Sequence, residues 1–442
     1  MTNVRIHPVL YRPITGALRI ALSFCCFLNF GLAAETPQRG QADARLQSFD
    51  ELMLSFVHDS HIPGAALAIA KDGRLIFARS YGWADEAAGK PVLPDSLFRI
   101  ASLSKPITAA GILRLVQEKR LQLDDLAIPH LPSTLLPVAD TPFDKRISKI
   151  TIRHLLNHTA GFDRTQSFDP MFRAREIQDA LNLPDLPAAS DIIRYVLARE
   201  LDFDPGSKYA YSNIGYNILG RIIEQTTTMP YESYIQSAIF EPMKISRMRL
   251  GMTNRSHRTD HEVTYSDFRP KRASVFAPSD DPPFVSRPYG AWHLEPMDAH
   301  GGWLGSAVDL VRFAEALFSN HLSPLGPESR SLIESRPAPP VATDSEGEPL
   351  NVYYGFGWSI RVQPNKGINF WHNGLLDGTA SILVKRSDGL TWAALFNSRS
   401  GTGPARRNLA SAIDPLLHQA AANVKEWPRQ KDLFPLYLGA VE

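Results

Sequence analysis

The first part of the chain passes from a helical to a strand-like pattern of apolar residues. Apolar positions recur at helical spacing over residues 46–56, and this pattern ends at His61-Ile62-Pro63-Gly64. Two apolar runs follow at residues 65–70 and 74–81, with Lys71-Asp72-Gly73 between them. Because Asp-Gly between two apolar runs is a strong hairpin signal, the pattern predicts a helix followed by a two-stranded hairpin.

The middle of the chain, from about residue 103 to 300, has mainly helical periodicity, interrupted by loops that contain proline. The clearest predicted helices cover residues 107–118, 151–156, 189–198, 215–225 and 231–239. Residues 255–295 carry many Arg, Asp, Ser and Pro residues without periodicity. This stretch predicts a long surface excursion.

The end of the chain returns to short apolar runs separated by turns. These runs predict strands at residues 354–360, 368–372, 380–385 and 390–396 and a last helix at 406–425. Strands at both chain ends around a helical middle predict one sheet made from the two ends, with the helical part inserted. The predicted bounds are about 42–102 and 300–427 for the sheet-bearing part, about 103–299 for the helical part and 428–442 for a tail.

Residues 1–34 differ from the rest of the chain. They carry Arg5, Arg12 and Arg19, no acidic residue, an apolar stretch and then small residues. This order is typical of a secretory signal peptide, so we predict cleavage and export to the periplasm or the medium. An uncleaved membrane anchor is the alternative. Both cysteines lie in this segment, which leaves residues 35–442 without a disulfide or a thiol nucleophile.

Composition and charge are those of an ordinary globular protein and do not indicate a nucleic-acid, metal or cofactor partner. Hydrophobic residues make up 44% of the chain and charged residues 21%, as in ordinary globular proteins. The formal net charge of +1 gives no reason to expect a nucleic acid as a partner. His154 and His158 have a spacing found in metal sites, but no glutamate follows His154. We therefore predict no metal and no cofactor.

Ser102 and Lys105 form the first candidate chemical element, in the run Ser102-Leu103-Ser104-Lys105. Three residues apart on a helix, the two side chains share one face. Pro106 requires the helix to begin close to Ser102, because proline fits only the first turn. A desolvated lysine has a lowered pKa and can accept the serine proton. A Ser/Lys pair at an ordinary capped helix is the alternative.

Two further short strings carry candidate chemistry. In Tyr211-Ser212-Asn213, the phenol can relay a proton while the amide orients Lys105 and a substrate carbonyl; a plain helix-entry loop is the alternative. In His372-Asn373-Gly374, the glycine permits close approach of a ligand, and the strand before it can bind an extended substrate at a sheet edge. The imidazole can offer a proton or a charge, or simply pack beside Trp371.

The order S-x-x-K, Y-x-N, H-x-G resembles the serine β-lactamases of the class C type and their penicillin-recognising relatives. These relatives include D-alanyl-D-alanine carboxypeptidases, D-aminopeptidases and family VIII esterases. Further segments that resemble the family are residues 98–101, 152–161, 301–306 and 354–358. The likeness covers nearly all of residues 45–400. It implies the α+β fold of the β-lactamase/transpeptidase type, with an antiparallel sheet flanked by helices and a helical subdomain inserted.

The resemblance also implies catalytic roles. Ser102 would be acylated, and Lys105 would be the base or share that duty with Tyr211. The backbone N–H groups of Ser102 and Leu375 would form the oxyanion hole.

Five residues are implied in substrate binding: Asn213, His372, Asn373, Gly374 and Leu375. His372 stands where many β-lactamases have lysine, and Asn373 stands where they commonly have threonine. Both positions commonly bind the carboxylate of a penicillin or a terminal D-alanine, and a neutral histidine holds a carboxylate less firmly. The departure favours a peptidase or an esterase over an efficient β-lactamase.

The implied activity is hydrolysis of an amide or ester through a covalent intermediate on Ser102. The candidate substrates are D-amino-acid peptides, short esters and β-lactams, so the expected partner is a small molecule or a peptide. The alternative is a non-catalytic protein that binds penicillin or cell-wall fragments. Retention of Lys105 together with Tyr211 favours the enzyme. The sequence contains no signal from which an oligomeric state can be predicted.

Overall fold

The computed structural model describes residues 36–136, 144–277, 282–402 and 408–437. The predicted signal segment lies outside these ranges, and so does the end of the predicted tail. Export therefore stays a prediction. The bounds of the inserted helical part stay a prediction as well.

The described strands are short at the edges and long in the middle of the main sheet. They are Gln38–Arg39 (β1), Gly64–Lys71 (β2), Arg74–Asp85 (β3), Lys90–Pro91 (β4), Phe98–Arg99 (β5), Arg249–Leu250 (β6), Arg272–Ala273 (β7), Phe284–Val285 (β8), Trp303–Gly305 (β9), Val352–Tyr354 (β10), Ser359–Val362 (β11), Ile368–Leu376 (β12), Thr379–Lys385 (β13) and Leu390–Phe396 (β14).

The α-helices lie mostly between the two sets of strands. They are Gln47–Asp59 (α1), Ser104–Gln117 (α2), Ile152–Leu156 (α3), Ala174–Ala180 (α4), Ala189–Leu197 (α5), Asn213–Thr227 (α6), Tyr231–Ile235 (α7), Asp298–Gly301 (α8), Ala307–Leu317 (α9), Pro327–Ser331 (α10), Leu409–Ala422 (α11) and Phe434–Tyr437 (α12). A π-helical turn, Gln236–Phe240, continues α7.

The main sheet joins the two ends of the chain, as the sequence predicts. Its strand order is β1-β3-β2-β14-β13-β12-β11-β10, and β4 pairs with β3. All of these pairs are antiparallel, including the central pair β2–β14, which runs from Lys71 opposite Leu390 to Ala65 opposite Phe396. The predicted hairpin is also present, with positive φ at Asp72 and Gly73.

Both faces of the sheet are covered, so its central strands are buried on both sides. On β14, Trp392 and Ala394 face a core shared with α1 and α11, whereas Ala393 and Leu395 face the core that also contains α2, α6 and α9. This alternation follows from the two-residue period of a strand. The second core extends without interruption from the sheet into the helical part.

A small second sheet, in the order β5-β9-β6, lies where the candidate nucleophile begins. Ile100, directly after β5, donates its N–H to the carbonyl of Trp303 in β9 (3.0 Å). This sheet therefore fixes the backbone that leads to Ser102.

None of the described helices combines the length and the apolar character that a membrane crossing needs.

Three predicted elements differ from the structure. The strand predicted at 354–360 is instead parts of two strands, β10 and β11, because the chain reverses direction at residues 355–358 and the two strands pair antiparallel. Gly357 has φ of 80° and packs against the backbone of α2, where a Cβ atom would lie 2.9 Å from Pro106. The strand predicted at 368–372 continues to Leu376. The helix predicted at 406–425 corresponds to α11, which is shorter and covers Leu409–Ala422.

The predicted surface excursion at 255–295 also needs correction. It contains two short strands, β7 and β8, and contributes buried residues to the core, among them Tyr265, Trp292 and Leu294.

Candidate active site

Ser102 lies in a single 3₁₀ turn, Ala101–Leu103, which leads directly into α2. The predicted helix start is therefore confirmed. Ala101 has φ of 51°, a conformation that is uncommon for residues other than glycine. Ser381 of β13 donates its hydroxyl to the carbonyl of Ile100 (2.8 Å). The sheet thus holds the strained turn that presents the Ser102 hydroxyl.

Lys105 is completely buried and makes three polar contacts through its Nζ atom. Nζ lies 2.8 Å from Oδ1 of Asn213, 3.0 Å from the carbonyl of His300 and 3.3 Å from Oγ of Ser102. Burial lowers the pKa of Lys105 well below its ordinary value, and the positive charge of Arg164 lowers it further. The amine therefore favours its neutral form.

Asn213 opens α6, and the hydroxyl of Ser212 caps that helix by accepting the N–H of Gly215 (3.3 Å). The Asn213 amide accepts from Lys105 through Oδ1 and donates through Nδ2 to Asp169 (2.7 Å). Asp169 sets this orientation, because an ionised carboxylate can only accept and must therefore face the NH₂ group of the amide. The contact between Asn213 and Lys105 is thus present, while the predicted roles of Asn213 in orienting the lysine and in holding a substrate stay predictions.

Tyr211 lies between the buried lysine and the open cleft. The centre of its ring is 4.7 Å from Nζ of Lys105 and 4.8 Å from Cζ of Arg164. Burial raises the pKa of Tyr211, and interaction with the Ser102 hydroxyl only partly opposes this. The phenol is therefore protonated near pH 7 and can donate a proton.

His372 is buried, and both ring nitrogens are hydrogen bonded. Nδ1 donates to the carbonyl of Asn373 (2.9 Å), because a carbonyl can only accept. Nε2 is then the acceptor for the hydroxyl of Tyr354 (3.0 Å). Burial lowers the pKa of His372 to about 3. The imidazole is neutral near pH 7, so it offers a substrate no positive charge.

Gly374 has a different role from the one the sequence suggests. A Cβ atom there would collide with the carbonyl of Ile100 and the hydroxyl of Ser381. The glycine therefore lets β12 lie directly against the segment before Ser102, and the close approach is made by the protein's own backbone. His372-Asn373-Gly374 also lies inside β12 and not at its end.

The part of β12 beside the candidate nucleophile is a free sheet edge on one side. The last pair with β11 joins Trp371 to Ser359, whereas pairing with β13 continues to Leu376. The predicted edge is therefore wrong for residues 368–371, which pair with β11 and β13, and the free edge lies at residues 372–376 instead. It arises at the bend between β10 and β11, which removes the neighbouring strand.

The two predicted oxyanion donors border the same cleft. The N–H of Ser102 lies in the first turn of a short helix, where backbone donors have no intrahelical partner. Leu375 lines the cleft opposite, together with Asn373. Oδ1 of Asn373 is buried with no hydrogen-bond partner among the described residues.

An open cleft of about 230 Å³ is lined by five of the predicted site residues: Ser102, Tyr211, His372, Asn373 and Leu375. Lys105, Asn213 and Gly374 do not line it, and Asn213 lines a neighbouring cavity instead. Further residues that line it are Arg164, Tyr209, Tyr354, Ser359 and Trp371. Sequence reasoning missed Arg164, Asp169 and Tyr354 as site residues. Arg164 follows the 152–161 segment by three positions, and this proximity was the one signal that could have pointed to it. None of the described residues form a cluster suited to a metal ion.

Comparison with known proteins agrees with this architecture. Residues 49–414 match the family model Beta-lactamase. Penicillin-binding protein 4* of Bacillus subtilis (strain 168) is 26% identical over 370 residues, which cover 83% of this chain and 75% of that protein. Several other curated relatives are longer, and the match covers 63% of their length.

Two solved structures are similar in fold at low sequence identity. The D-amino acid amidase from Ochrobactrum anthropi SV3 has a TM-score of 0.62 at 21% identity, covering 87% of this chain and 100% of that one. EstCE1, a hydrolase with promiscuous acyltransferase activity, also has a TM-score of 0.62 at 21% identity, covering 86% and 99%. With the family match over most of the chain, the protein belongs to the Beta-lactamase family and has the β-lactamase/transpeptidase fold.

Proposed function

We propose that the protein is a serine hydrolase that cleaves an ester or amide through a covalent acyl intermediate on Ser102. The observation that carries the proposal is the set of contacts around Nζ of Lys105. Two of its three neighbours, the Asn213 and His300 oxygens, accept from it, and the third is the Ser102 hydroxyl. A neutral amine has two N–H donors and one lone pair, so its lone pair is directed to the serine.

The proposed reaction begins when Lys105 takes the proton of Ser102 as Oγ attacks the substrate carbonyl. The N–H groups of Ser102 and Leu375 stabilise the resulting oxyanion. As the tetrahedral intermediate collapses, Tyr211 donates its proton to the departing alcohol or amine and regains one from protonated Lys105. Water then attacks the acyl group and loses a proton to Lys105. As the second tetrahedral intermediate collapses, Lys105 returns that proton to Oγ of Ser102 and the acid departs.

The proposed substrates are short esters and D-amino-acid peptides more than β-lactams. His372 is neutral and already hydrogen bonded at both nitrogens, so it is poorly suited to bind the carboxylate of a penicillin. The fold likeness to a D-amino acid amidase and to a hydrolase with acyltransferase activity is consistent with cleavage of an amide or transfer of another acyl group. Export remains a proposal that rests on residues 1–34 alone.

Active-site labelling with a fluorophosphonate probe, combined with steady-state kinetics, tests the proposal. We expect the wild-type protein to be labelled and to hydrolyse p-nitrophenyl butyrate faster than nitrocefin or D-alanyl-D-alanine. Ser102→Ala should lose labelling and at least about a thousandfold in kcat, because nucleophile and base act as a unit. Ser104→Ala is the matched control and should keep labelling, since the Ser104 hydroxyl is buried against the carbonyl of Ala101.

The outcomes separate the alternatives. Dominant nitrocefin turnover would overturn the proposed substrate order and leave the serine mechanism standing. Stoichiometric labelling of Ser102 without turnover of any substrate would favour a penicillin or cell-wall-fragment binder. Turnover that survives in Ser102→Ala would overturn the mechanism.

A further inference from the structure

Arg164 lies at the wall of the Ser102 cleft with its charged group available. Its side chain is 44% exposed, and its guanidinium lies over the ring of Tyr211, with Cζ 4.8 Å from the ring centre. The nearest carboxylate oxygen belongs to Asp169, 3.8 Å away, which is beyond hydrogen-bond distance. Within the described ranges, the guanidinium makes no hydrogen bond.

The other residues that line the cleft carry no charge near pH 7. They are aromatic, hydroxyl, amide or apolar residues, and His372 is held neutral by burial. Lys105 lies beneath the cleft, fully buried, and favours its neutral form. Arg164 is thus the one charged side chain on the cleft wall among the residues described.

Acidic residues line a neighbouring cavity that shares Arg164 with the cleft. Most of them already accept a hydrogen bond or form an ion pair within the protein. Asp163 is paired with Lys208 (2.7 Å), and Asp202 accepts the N–H of Asp163 (2.6 Å). Asp169 accepts from Asn213. Glu200 also lines this cavity and not the cleft. Because none of these carboxylates lines the Ser102 cleft, the charge on the cleft wall itself is the positive charge of Arg164.

We propose that Arg164 recognises an anionic group of the substrate, and that this hydrolase acts on esters or amides that carry a carboxylate in preference to those that carry a free ammonium. The inference rests on the proposed serine-hydrolase function and specifies its substrate class. A planar guanidinium pairs with a carboxylate through two parallel hydrogen bonds. Stacking on Tyr211 limits the conformations of the side chain and so lowers the entropy lost on binding.

The test compares p-nitrophenyl esters of similar size that differ in charge. The probes are neutral p-nitrophenyl hexanoate, the anionic mono-p-nitrophenyl adipate and the cationic p-nitrophenyl 6-aminohexanoate. A fourth ester, 4-butyryloxy-3-nitrobenzoate, carries its carboxylate on the leaving group and is compared with p-nitrophenyl butyrate. Together they show on which side of the scissile bond an anion is preferred.

The variants separate charge recognition from an effect on the base. Because the charge of Arg164 also lowers the pKa of Lys105, kcat/KM is compared as a ratio between esters within each variant. We expect wild type to prefer at least one anionic ester over the cationic ester by about tenfold or more. Arg164→Gln should remove this preference, Arg164→Lys should keep part of it, and Arg164→Glu should reverse it.

Arg255→Gln is the matched control. Arg255 is 59% exposed, pairs with Asp85 and does not line the cleft, so its loss should leave the ratio unchanged. An unchanged ratio in Arg164→Gln, or a wild-type preference for the cationic ester, would overturn the role of Arg164 while turnover of the neutral ester still supports the hydrolase. Absence of turnover of every ester and of D-alanyl-D-alanine, together with no fluorophosphonate labelling, would overturn both proposals.

Discussion

At the scale of single residues, the decisive feature is a buried lysine whose close partners are neutral. Transfer of a charged ammonium from water into the protein interior costs free energy unless a carboxylate compensates for it. The close partners of Lys105 are an amide, a carbonyl and a hydroxyl. Its charged form is therefore destabilised, which is what a general base near neutral pH requires.

The state of Lys105 leads to a pH prediction. A base must be deprotonated to act. We therefore expect kcat/KM to be low at pH values below the lowered pKa of Lys105 and to rise as the pH increases through that pKa. Asn213→Asp places a carboxylate where an amide oxygen now lies 2.8 Å from Nζ. An opposite charge at this distance raises the lysine pKa, so the acidic limb for p-nitrophenyl butyrate should move up by about 1 to 3 pH units.

A second variant controls for the added charge itself. Asn182 is exposed, and Asn182→Asp should leave the pH profile of kcat/KM as it is in wild type. An Asn213→Asp variant that folds, is active and keeps the wild-type acidic limb would contradict the assignment of Lys105 as the base.

At the scale of elements, β12 depends on glycines at two points. Gly374 allows contact with the segment before Ser102, and Gly378 forms the turn to β13. Gly378 has φ of 84°, and an added Cβ atom would lie 2.8 Å from Cβ of Tyr265 and still closer to Pro288. Gly73, in the other hairpin, has a similar φ of 83° but no atom within 4 Å of the Cβ position.

The two hairpin turns provide a matched stability test. Gly73→Ala introduces left-handed strain only and should lower the free energy of unfolding by about 1 kcal/mol. Gly378→Ala adds a steric clash and should cost about 2 to 4 kcal/mol. It should also lower kcat on p-nitrophenyl butyrate more than Gly73→Ala does, because β12 carries residues 372–375 of the site. Urea unfolding and initial rates check both expectations; equal costs would contradict the packing argument.

At the scale of the whole molecule, the site depends on both ends of the chain. Ser102 follows the N-terminal strands, His372 belongs to the C-terminal strands, and the central pair β2–β14 joins the two sets. One continuous core extends from the sheet into the helical part. Neither end can keep its share of the core without the other.

This shared core predicts a single cooperative unfolding transition. Far-UV circular dichroism, tryptophan fluorescence and residual esterase activity should give the same urea midpoint, since tryptophans occur both in the helical part (Trp292) and in the sheet (Trp392). A helical part that unfolds separately, seen as two fluorescence transitions, would contradict the prediction.

Local signals in the sequence were sufficient where neighbouring residues decide the structure. The spacing of Ser102 and Lys105 with Pro106 predicted the helix start, and Asp72-Gly73 predicted the hairpin, because backbone sterics and helix geometry act over a few residues. Strand patterns at both chain ends likewise predicted the single sheet. The motif order further indicated the family and thus which distant residues meet.

Only the tertiary structure decided features that depend on distant contacts. The break at Gly357 arises where the chain meets α2, and that break in turn exposes the edge of β12. The neutral state of His372 follows from burial and from Tyr354, and the charge on the cleft wall follows from the position of Arg164. Burial and through-space charge set these properties, and neither has a local signature in the chain.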